Sequence, residues 1–162
     1  MLSKKMLDES NIQIQEELYS AYLYLSMVAH FEAANLPGFA HWMRLQAEEE
    51  REHAMKFFDQ IIDRGGKVTL LAIDKPAADF GTPLSVFEQT LAHAQHVTAR
   101  IHKLYDIAVA DKDYASQVFL NWFVSEQVEE EKNASGILET LKLIGEKSNA
   151  IYQLDHQLGK RE

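Results

Sequence analysis

The sequence predicts an all-α protein, a bundle of four long helices followed by one short helix, and three observations lead to this class. Apolar residues recur at helical spacing in four long stretches and one short one. Proline and glycine are few, with three and seven residues, and several of them mark the ends of those stretches. Residues 66–82 have no helical period and are long enough to cross a bundle. The predicted helices cover residues 3–33, 37–64, 83–110, 114–144 and 148–159.

Turn signals separate the first two predicted helices. The first ends in the turn sequence ANLPGF, at residues 34–39. Pro37 suits the first turn of the second helix, where the missing backbone N–H costs nothing. Gly65 and Gly66 end the second helix, since glycine readily adopts the backbone conformation that follows a helix. The first pair is therefore expected to form an antiparallel hairpin.

A long connection and a second hairpin follow. Residues 66–82 contain Pro and Gly, and a loop of this length inside a compact domain is expected to have a topological role. Thr82 is a good N-cap, and Pro83 then opens the third helix. Residues 111–113 form a short turn, and Gly145 ends the fourth helix. Two antiparallel hairpins joined by one long crossover make a four-helix bundle.

The bulk composition bounds the class of protein. A chain of 162 residues with 46% hydrophobic residues fits one domain, expected over residues 1–162, with a substantial core. The absence of cysteine excludes disulfides and thiolate metal sites and fits a reducing compartment. No apolar run is long enough to span a bilayer, so a cytoplasmic protein without a membrane partner is expected. The net charge of −9 argues against nucleic acid as a partner and is compatible with gathering cations.

Two acids and a histidine on the second and fourth helices lie on apolar stripes. At about 100° per residue, Glu50 stands at the centre of its stripe, and His53 lies near one edge. Glu130 stands in the same way on the fourth helix. The flanking apolar residues are Phe39, Met43, Ala54, Phe57 and Ile61 for Glu50, and Phe119, Phe123, Ala134, Ile137 and Leu141 for Glu130. The rest of the charged run points outward, as Glu48, Arg51 and Glu52.

A third core acid, Glu17, shares the stripe of the first helix with residues that include Ile14, Tyr24 and Val28. Unpaired buried charges are costly, and no Lys or Arg occupies the same stripes. A bound cation is the natural compensation, and carboxylates with a single imidazole suit iron or manganese. Spacing alone places three outer acids on a solvated face, namely Glu49, Glu126 and Glu129. It assigns the remaining histidines, His93 among them, to surface or structural positions, and Trp42 and Trp122 to core packing.

Three motifs together resemble the non-haem ferritins of bacteria and archaea. They are ELYSAYLYLSM at residues 17–27, AEEEREHAMKF at residues 47–57 and FLNWFVSEQVEEE at residues 119–131. The resemblance covers essentially the whole chain. It implies a ferritin-like subunit of a 24-subunit cytoplasmic cage that oxidises Fe(II) with O₂ and stores ferric mineral. It implies no haem, because Arg51 falls about where bacterioferritins carry their haem-ligating methionine.

The resemblance also implies site residues. The first iron would be held by Glu17, Glu50 and His53, with Glu50 bridging to a second iron held by Glu130. Gln127 and Tyr24 would support this di-iron centre. A third iron site on the inner surface would use Glu49, Glu126 and Glu129, with Glu130 shared.

One departure from the family pattern concerns the third helix. The family normally has a glutamate there as a ligand of the second iron, whereas this chain has Ala94 in the sequence LAHAQH. Ala94 lies on the core stripe, so the position is right and the carboxylate is missing. We expect the first iron site to survive and the second to be impaired, which slows paired oxidation.

Two other functions remain open at the level of sequence. A di-iron oxidase or peroxidase of the rubrerythrin kind predicts a second Glu-x-x-His motif, which the fourth helix lacks. A non-enzymatic helical assembly protein predicts no bound iron and no large particle.

Overall fold

The computed structural model describes residues 1–145 and 147–162, and its regular elements are α-helices. They are α1 (Lys4–Ala33), α2 (Pro37–Asp63), α3 (Pro83–Ala110), α4 (Tyr114–Ile144) and α5 (Ser148–Leu158). The predicted all-α class, with four long helices and a short fifth, is confirmed. None of the described helices is long and apolar enough to cross a membrane.

Tight turns make both hairpins antiparallel. The α1–α2 turn contains Asn35 at φ 56° and the α3–α4 turn contains Lys112 at φ 53°. Asparagine tolerates this left-handed region, whereas for lysine it is less common. The turn that contains Lys112 is closed by a 2.9 Å hydrogen bond from the backbone N–H of Asp113 to the carbonyl of Ala108. Asp113 also caps α4, since its side chain accepts from the backbone N–H of Ser116.

The connection between α2 and α3 follows α1 along most of its length. The side chain of Asn11 donates to the carbonyl of Lys67 and accepts from the N–H of Thr69, at 3.2 and 2.7 Å. Near the other end of α1, His30 Nε2 lies 2.8 Å from the carbonyl oxygen of Gly81. The connection therefore returns the chain to the end of the bundle where α2 begins, and α3 starts there.

The pairing of the two hairpins sets which helices face each other. On the α1–α3 side, Lys103 donates to Glu9 at 2.7 Å, and Thr90 donates to the sulfur of Met27 at 3.6 Å. Early residues of α1 thus meet late residues of α3, so these two helices are antiparallel.

A polar layer divides the core of the bundle. One apolar cluster surrounds Phe31, Phe39 and Phe87, and a second surrounds Phe57 and Phe123. Between the two clusters, α1, α2 and α4 contribute buried polar side chains. They are Gln13, Glu17 and Ser20 on α1, Gln46, Glu50 and His53 on α2, and Gln127 and Glu130 on α4. This layer is where the fold positions a site.

The short helix α5 docks on the start of α2. The N-cap residue of α2, Leu36, has no capping side chain, and Asp155 Oδ1 instead accepts from the N–H of Phe39 at 2.9 Å. A Cβ added at Gly38 would lie 1.6 Å from the carbonyl oxygen of Asp155, so only glycine permits this approach. The docked helix brings the end of the chain back to α2.

One aromatic residue departs from the sequence expectation. Trp122, predicted to pack in the core, is 40% exposed, and Lys56 Nζ lies 3.4 Å from the centroid of its ring. The cation over the ring face makes this exposed position favourable for tryptophan. Trp42 is buried, as expected.

Candidate metal centre

The polar layer contains a compact group of three possible metal ligands. Glu17, Glu50 and His53 each offer one ligand atom, and these atoms all lie within 4.8 Å of one another. Their exposed fractions are 1%, 4% and 4%. One ligand comes from α1 and two come from successive positions on one face of α2, because residues three apart are neighbours on a helix.

Glu17 has one satisfied and one unsatisfied oxygen. Its Oε1 accepts from Gln13 Nε2 at 2.8 Å, whereas Oε2 is buried without a partner. Burial raises the pKa of Glu17 well above its ordinary value, and the nearby charge of Glu50 raises it further. A buried carboxylate oxygen without a donor is costly in the metal-free protein. That orphaned oxygen fits a cation bound at this position.

Glu50 and His53 lie side by side. His53 Nδ1 is 3.2 Å from Glu50 Oε2, and the imidazole packs edge-on against Trp122 and Phe123. Burial raises the pKa of Glu50 well above its ordinary value, and the charge of Glu130 raises it further. The aromatic contacts fix the plane of the imidazole, so it is oriented before any ion arrives.

The part of the layer around Glu130 contains one carboxylate of its own. Gln46 Nε2 donates to Glu130 Oε2 at 2.8 Å, and burial raises the pKa of Glu130 to about 7. On α3, Ala94 is 4% exposed and presents only a methyl group. Gln127 Nε2 donates to the Ala94 carbonyl and to Thr98 Oγ1, both at 3.1 Å. The buried acids that could hold a cation here are Glu130 and Glu50, whose charges act on each other.

Tyr24 lies buried beside this centre. Burial raises the pKa of Tyr24 well above its ordinary value, and the charges of Glu50, Glu130 and Glu17 raise it further. These three acids are therefore close enough to act on the phenol. The structure thus buries the predicted di-iron residues in or beside one layer, and they are Glu17, Tyr24, Glu50, His53, Gln127 and Glu130.

The outer acids are less tightly grouped. Glu126 Oε1 lies 3.9 Å from His53 Nε2, Glu129 is exposed, and Glu49 accepts two hydrogen bonds from Arg161. Among the described residues, these acids are not in a group of three whose ligand atoms all lie within 4.8 Å. Burial raises the pKa of Glu126, and the nearby charges of Glu129 and Glu49 raise it further.

Sequence reasoning missed two supporting glutamines and the surroundings of His93. Gln13 precedes its partner Glu17 by four residues, and this i, i+4 spacing is a signal that could have identified it. Gln46 instead donates to Glu130 on α4, and no local spacing indicates that contact. His93, expected at a surface or structural position, is half-buried, and its Nε2 lies 2.7 Å from Ser20 Oγ. Burial lowers the pKa of His93 to about 4, which favours the neutral imidazole at neutral pH.

The raised pKa of Glu130 predicts a pH-dependent stability of the metal-free protein. The folded state binds this proton more tightly than the unfolded state does. The resulting stabilisation is complete below the ordinary pKa of 4.5 and is lost as the pH rises through about 7. We expect Glu130→Gln to remove this loss, which amounts to up to about 3 kcal/mol. The measurement is the melting temperature of both proteins in chelator. The wild-type value minus the Glu130→Gln value should be lower at pH 8 than at pH 5.

The control for this measurement is Glu129→Gln, which changes the same charge at an exposed neighbouring position. The melting difference between this control and the wild type should change little with pH. A Glu130→Gln protein that follows the wild type at both pH values would contradict the assignment of the raised pKa.

Comparisons with known proteins agree with this architecture. Residues 8–144 match the family described as Ferritin, Ferritin-like domain. A bacterial non-heme ferritin of Bacteroides fragilis is 46% identical over 99% of this chain and 100% of its own length. One from Staphylococcus aureus is 41% identical over 99% of this chain and 97% of its own length. Among solved structures, an open pore ferritin from the archaeon Archaeoglobus fulgidus superposes with a TM-score of 0.99, at 48% identity and full coverage of both chains. The bundle with its fifth helix is thus ferritin-like, and the chain belongs to the ferritin family of iron-storage proteins.

Proposed function

We propose that this chain is a ferroxidase subunit that oxidises Fe(II) at the buried polar layer and passes Fe(III) to a mineral store. The observation that carries the proposal is the compact group of Glu17, Glu50 and His53 with the unpartnered Glu17 Oε2. Its two carboxylates and one imidazole are ligands that suit Fe(II). Membership of the ferritin family selects iron over manganese.

The residues of the layer have distinct roles in this proposal. Glu17, Glu50 and His53 bind the first Fe(II), and Glu50 extends to a second ion on the Glu130 side. Each ferrous ion gives up one electron, so two ions reduce O₂ by two electrons to hydrogen peroxide, with two protons taken up. Binding of Fe(II) displaces the protons that the raised pKa values retain on these acids.

Ala94 makes the two halves of the centre unequal in this proposal. The first half has three ligands, whereas the second has Glu130, the shared Glu50 and the amide of Gln127 nearby. We infer that the second ion binds more weakly, so paired oxidation is slower than with a carboxylate at position 94. Tyr24 supports the centre from α1 as a buried phenol.

The proposal includes the assembly and the path inward. We propose a homo-oligomeric cage of 24 subunits in the cytoplasm, with oxidised iron leaving past the acids Glu49, Glu126 and Glu129. The similarity to ferritins over the whole chain supports the assembly. The position of Glu126, 3.9 Å from His53, supports the path.

Aerobic addition of Fe(II) to the metal-free protein tests the proposed function. We expect ferric absorbance to rise faster than in buffer alone, and we expect iron to co-elute with a particle far larger than one 18.5 kDa chain. Stopped-flow absorbance and size-exclusion chromatography with iron analysis measure the two results. A monomeric protein that leaves the rate of Fe(II) oxidation unchanged would overturn the proposal and favour a non-enzymatic helical protein.

A further inference from the structure

Near the end of the chain, the guanidinium of Arg161 forms an ion pair with Glu49, one of the outer acids. Arg161 donates from Nη2 to both carboxylate oxygens of Glu49, at 2.8 and 3.0 Å. It also donates from Nη1 to the carbonyl of Trp42 at 3.2 Å, and its guanidinium carbon lies 4.7 Å from the Trp42 ring centroid. The Arg161 carbonyl oxygen lies 2.6 Å from His41 Nε2. A single side chain thus makes an ion pair, a backbone hydrogen bond and a cation–π contact.

These contacts follow from the docking of α5. Asp155 accepts a hydrogen bond from the N–H of Phe39 in the first turn of α2. Leu158 is buried in the apolar cluster that contains Phe39. The short segment after Leu158 then leads directly to the face of α2 that carries Glu49. The position of Arg161 is therefore fixed by a packed helix, and the glycine at position 38 is what lets that helix approach.

Glu49 acts on the metal centre through its charge. It is the neighbour of Glu50, and its charge raises the pKa of Glu50, Glu126 and Glu130. Glu49 belongs to the outer acids of the proposed inward path. A guanidinium on Glu49 offsets this negative charge where a cation would otherwise bind.

We propose that Arg161 is an intramolecular counter-ion that competes with metal cations for Glu49 and so regulates binding at the outer acids Glu49, Glu126 and Glu129. This inference rests on the proposed inward path of iron. The hydrogen bonds of the pair are charge-assisted, which strengthens them. It is also partly open to solvent, with 21% of the Arg161 side chain and 41% of the Glu49 side chain exposed. A multivalent cation that gains several carboxylates at once can therefore displace the guanidinium.

Arg161→Gln tests the competition directly. Without the guanidinium, we expect Tb(III) to bind the outer acids about twofold to fivefold more tightly, because one partly exposed ion pair no longer has to be broken. The measurement is a Tb(III) titration of the full-length protein, followed by tryptophan-sensitised luminescence from the nearby Trp42 and Trp122. The titration is run in a Glu17→Gln/His53→Ala background, so that the buried cluster does not contribute.

Lys160→Gln is the matched control, because it removes the same charge from the adjacent exposed residue. We expect this control to bind Tb(III) as the background protein does. Adding Glu49→Gln should cancel the gain that Arg161→Gln produces, since the competition is for that carboxylate.

Two results would overturn the inference. One is Tb(III) affinity unchanged by Arg161→Gln, and the other is an equal gain in Lys160→Gln, which would mean a general charge effect. These outcomes are distinguishable from failure of the proposed function. Absence of Fe(II) oxidation by the wild type would count against the ferroxidase centre, whereas the Tb(III) titration concerns Glu49 and Arg161 alone.

Discussion

Replacing Glu50 by glutamine is expected to lower the initial rate of Fe(II) oxidation by at least about 100-fold, because this carboxylate serves both halves of the centre. Glu50 lies 3.2 Å from His53 and belongs to the compact group with Glu17. Glutamine keeps the shape of the side chain and removes its charge. The ferric absorbance that follows stopped-flow mixing of Fe(II) with aerated protein measures this rate.

Two control measurements would show that the effect of Glu50→Gln is specific to the metal centre. Glu52→Gln removes a charge from an exposed position on the same helix and should keep the wild-type rate. The metal-free Glu50→Gln protein should be at least as heat-stable as the wild type at pH 8, because a buried acid with a raised pKa is replaced by a neutral side chain. Oxidation at the wild-type rate in Glu50→Gln would show that the reaction occurs elsewhere.

Replacing Ala94 by glutamate is the second prediction with a large expected effect. We expect tightly bound Fe(II) to rise from about one to about two ions per subunit, because the second half gains a carboxylate ligand. The initial oxidation rate should rise by about tenfold or more, since two ferrous ions are then held together. Anaerobic Fe(II) titration and stopped-flow oxidation measure the two effects.

The same change should cost stability when no metal is present. A carboxylate at position 94 would be buried beside Gln127, in a layer whose acids already have raised pKa values. We therefore expect Ala94→Glu to melt at a lower temperature than the wild type in chelator. Anaerobic addition of Fe(II) should then raise the melting temperature of Ala94→Glu above its value in chelator. Ala94→Gln has nearly the same volume without the charge and should show neither the second ion nor the faster rate.

An Ala94→Glu protein with unchanged iron stoichiometry would contradict the account of the second half. If both proteins bind about two ions, the ligands already present around Glu130 are sufficient. If both bind about one, a carboxylate at position 94 does not complete the second half.

The helices and their turns could be predicted from the sequence because local residues determine them. Pro37 and Pro83 lie at the first positions of α2 and α3, and Thr82 caps α3 through the N–H of Ser85. Gly145, at φ 63°, ends α4 in a conformation that favours glycine. Each of these signals acts within a few residues, so it can be identified without knowledge of the fold.

The buried acids of the candidate site were also predictable, since helical periodicity places Glu17, Glu50 and Glu130 among apolar neighbours. In the structure all three are buried, in the layer between the two apolar clusters. A carboxylate at the centre of an apolar stripe needs a compensating partner. That requirement is a physical argument that does not depend on the details of packing.

Contacts between distant elements could not be predicted in this way. The Arg161–Glu49 pair, the Asp155 cap on α2 and the Gln46–Glu130 hydrogen bond join residues that lie 84 or more positions apart. No periodicity relates their positions, because they depend on how α5 docks and how the two hairpins pair. The environment of the outer acids therefore emerged only from the folded chain.

Anomalous diffraction from crystals of the protein soaked with Fe(II) under anaerobic conditions tests the central claim most directly. The account predicts a strong iron peak between Glu17, Glu50 and His53, and a peak of clearly lower occupancy on the Glu130 side. Equal occupancy of the two positions, or no iron at the first of them, would contradict it.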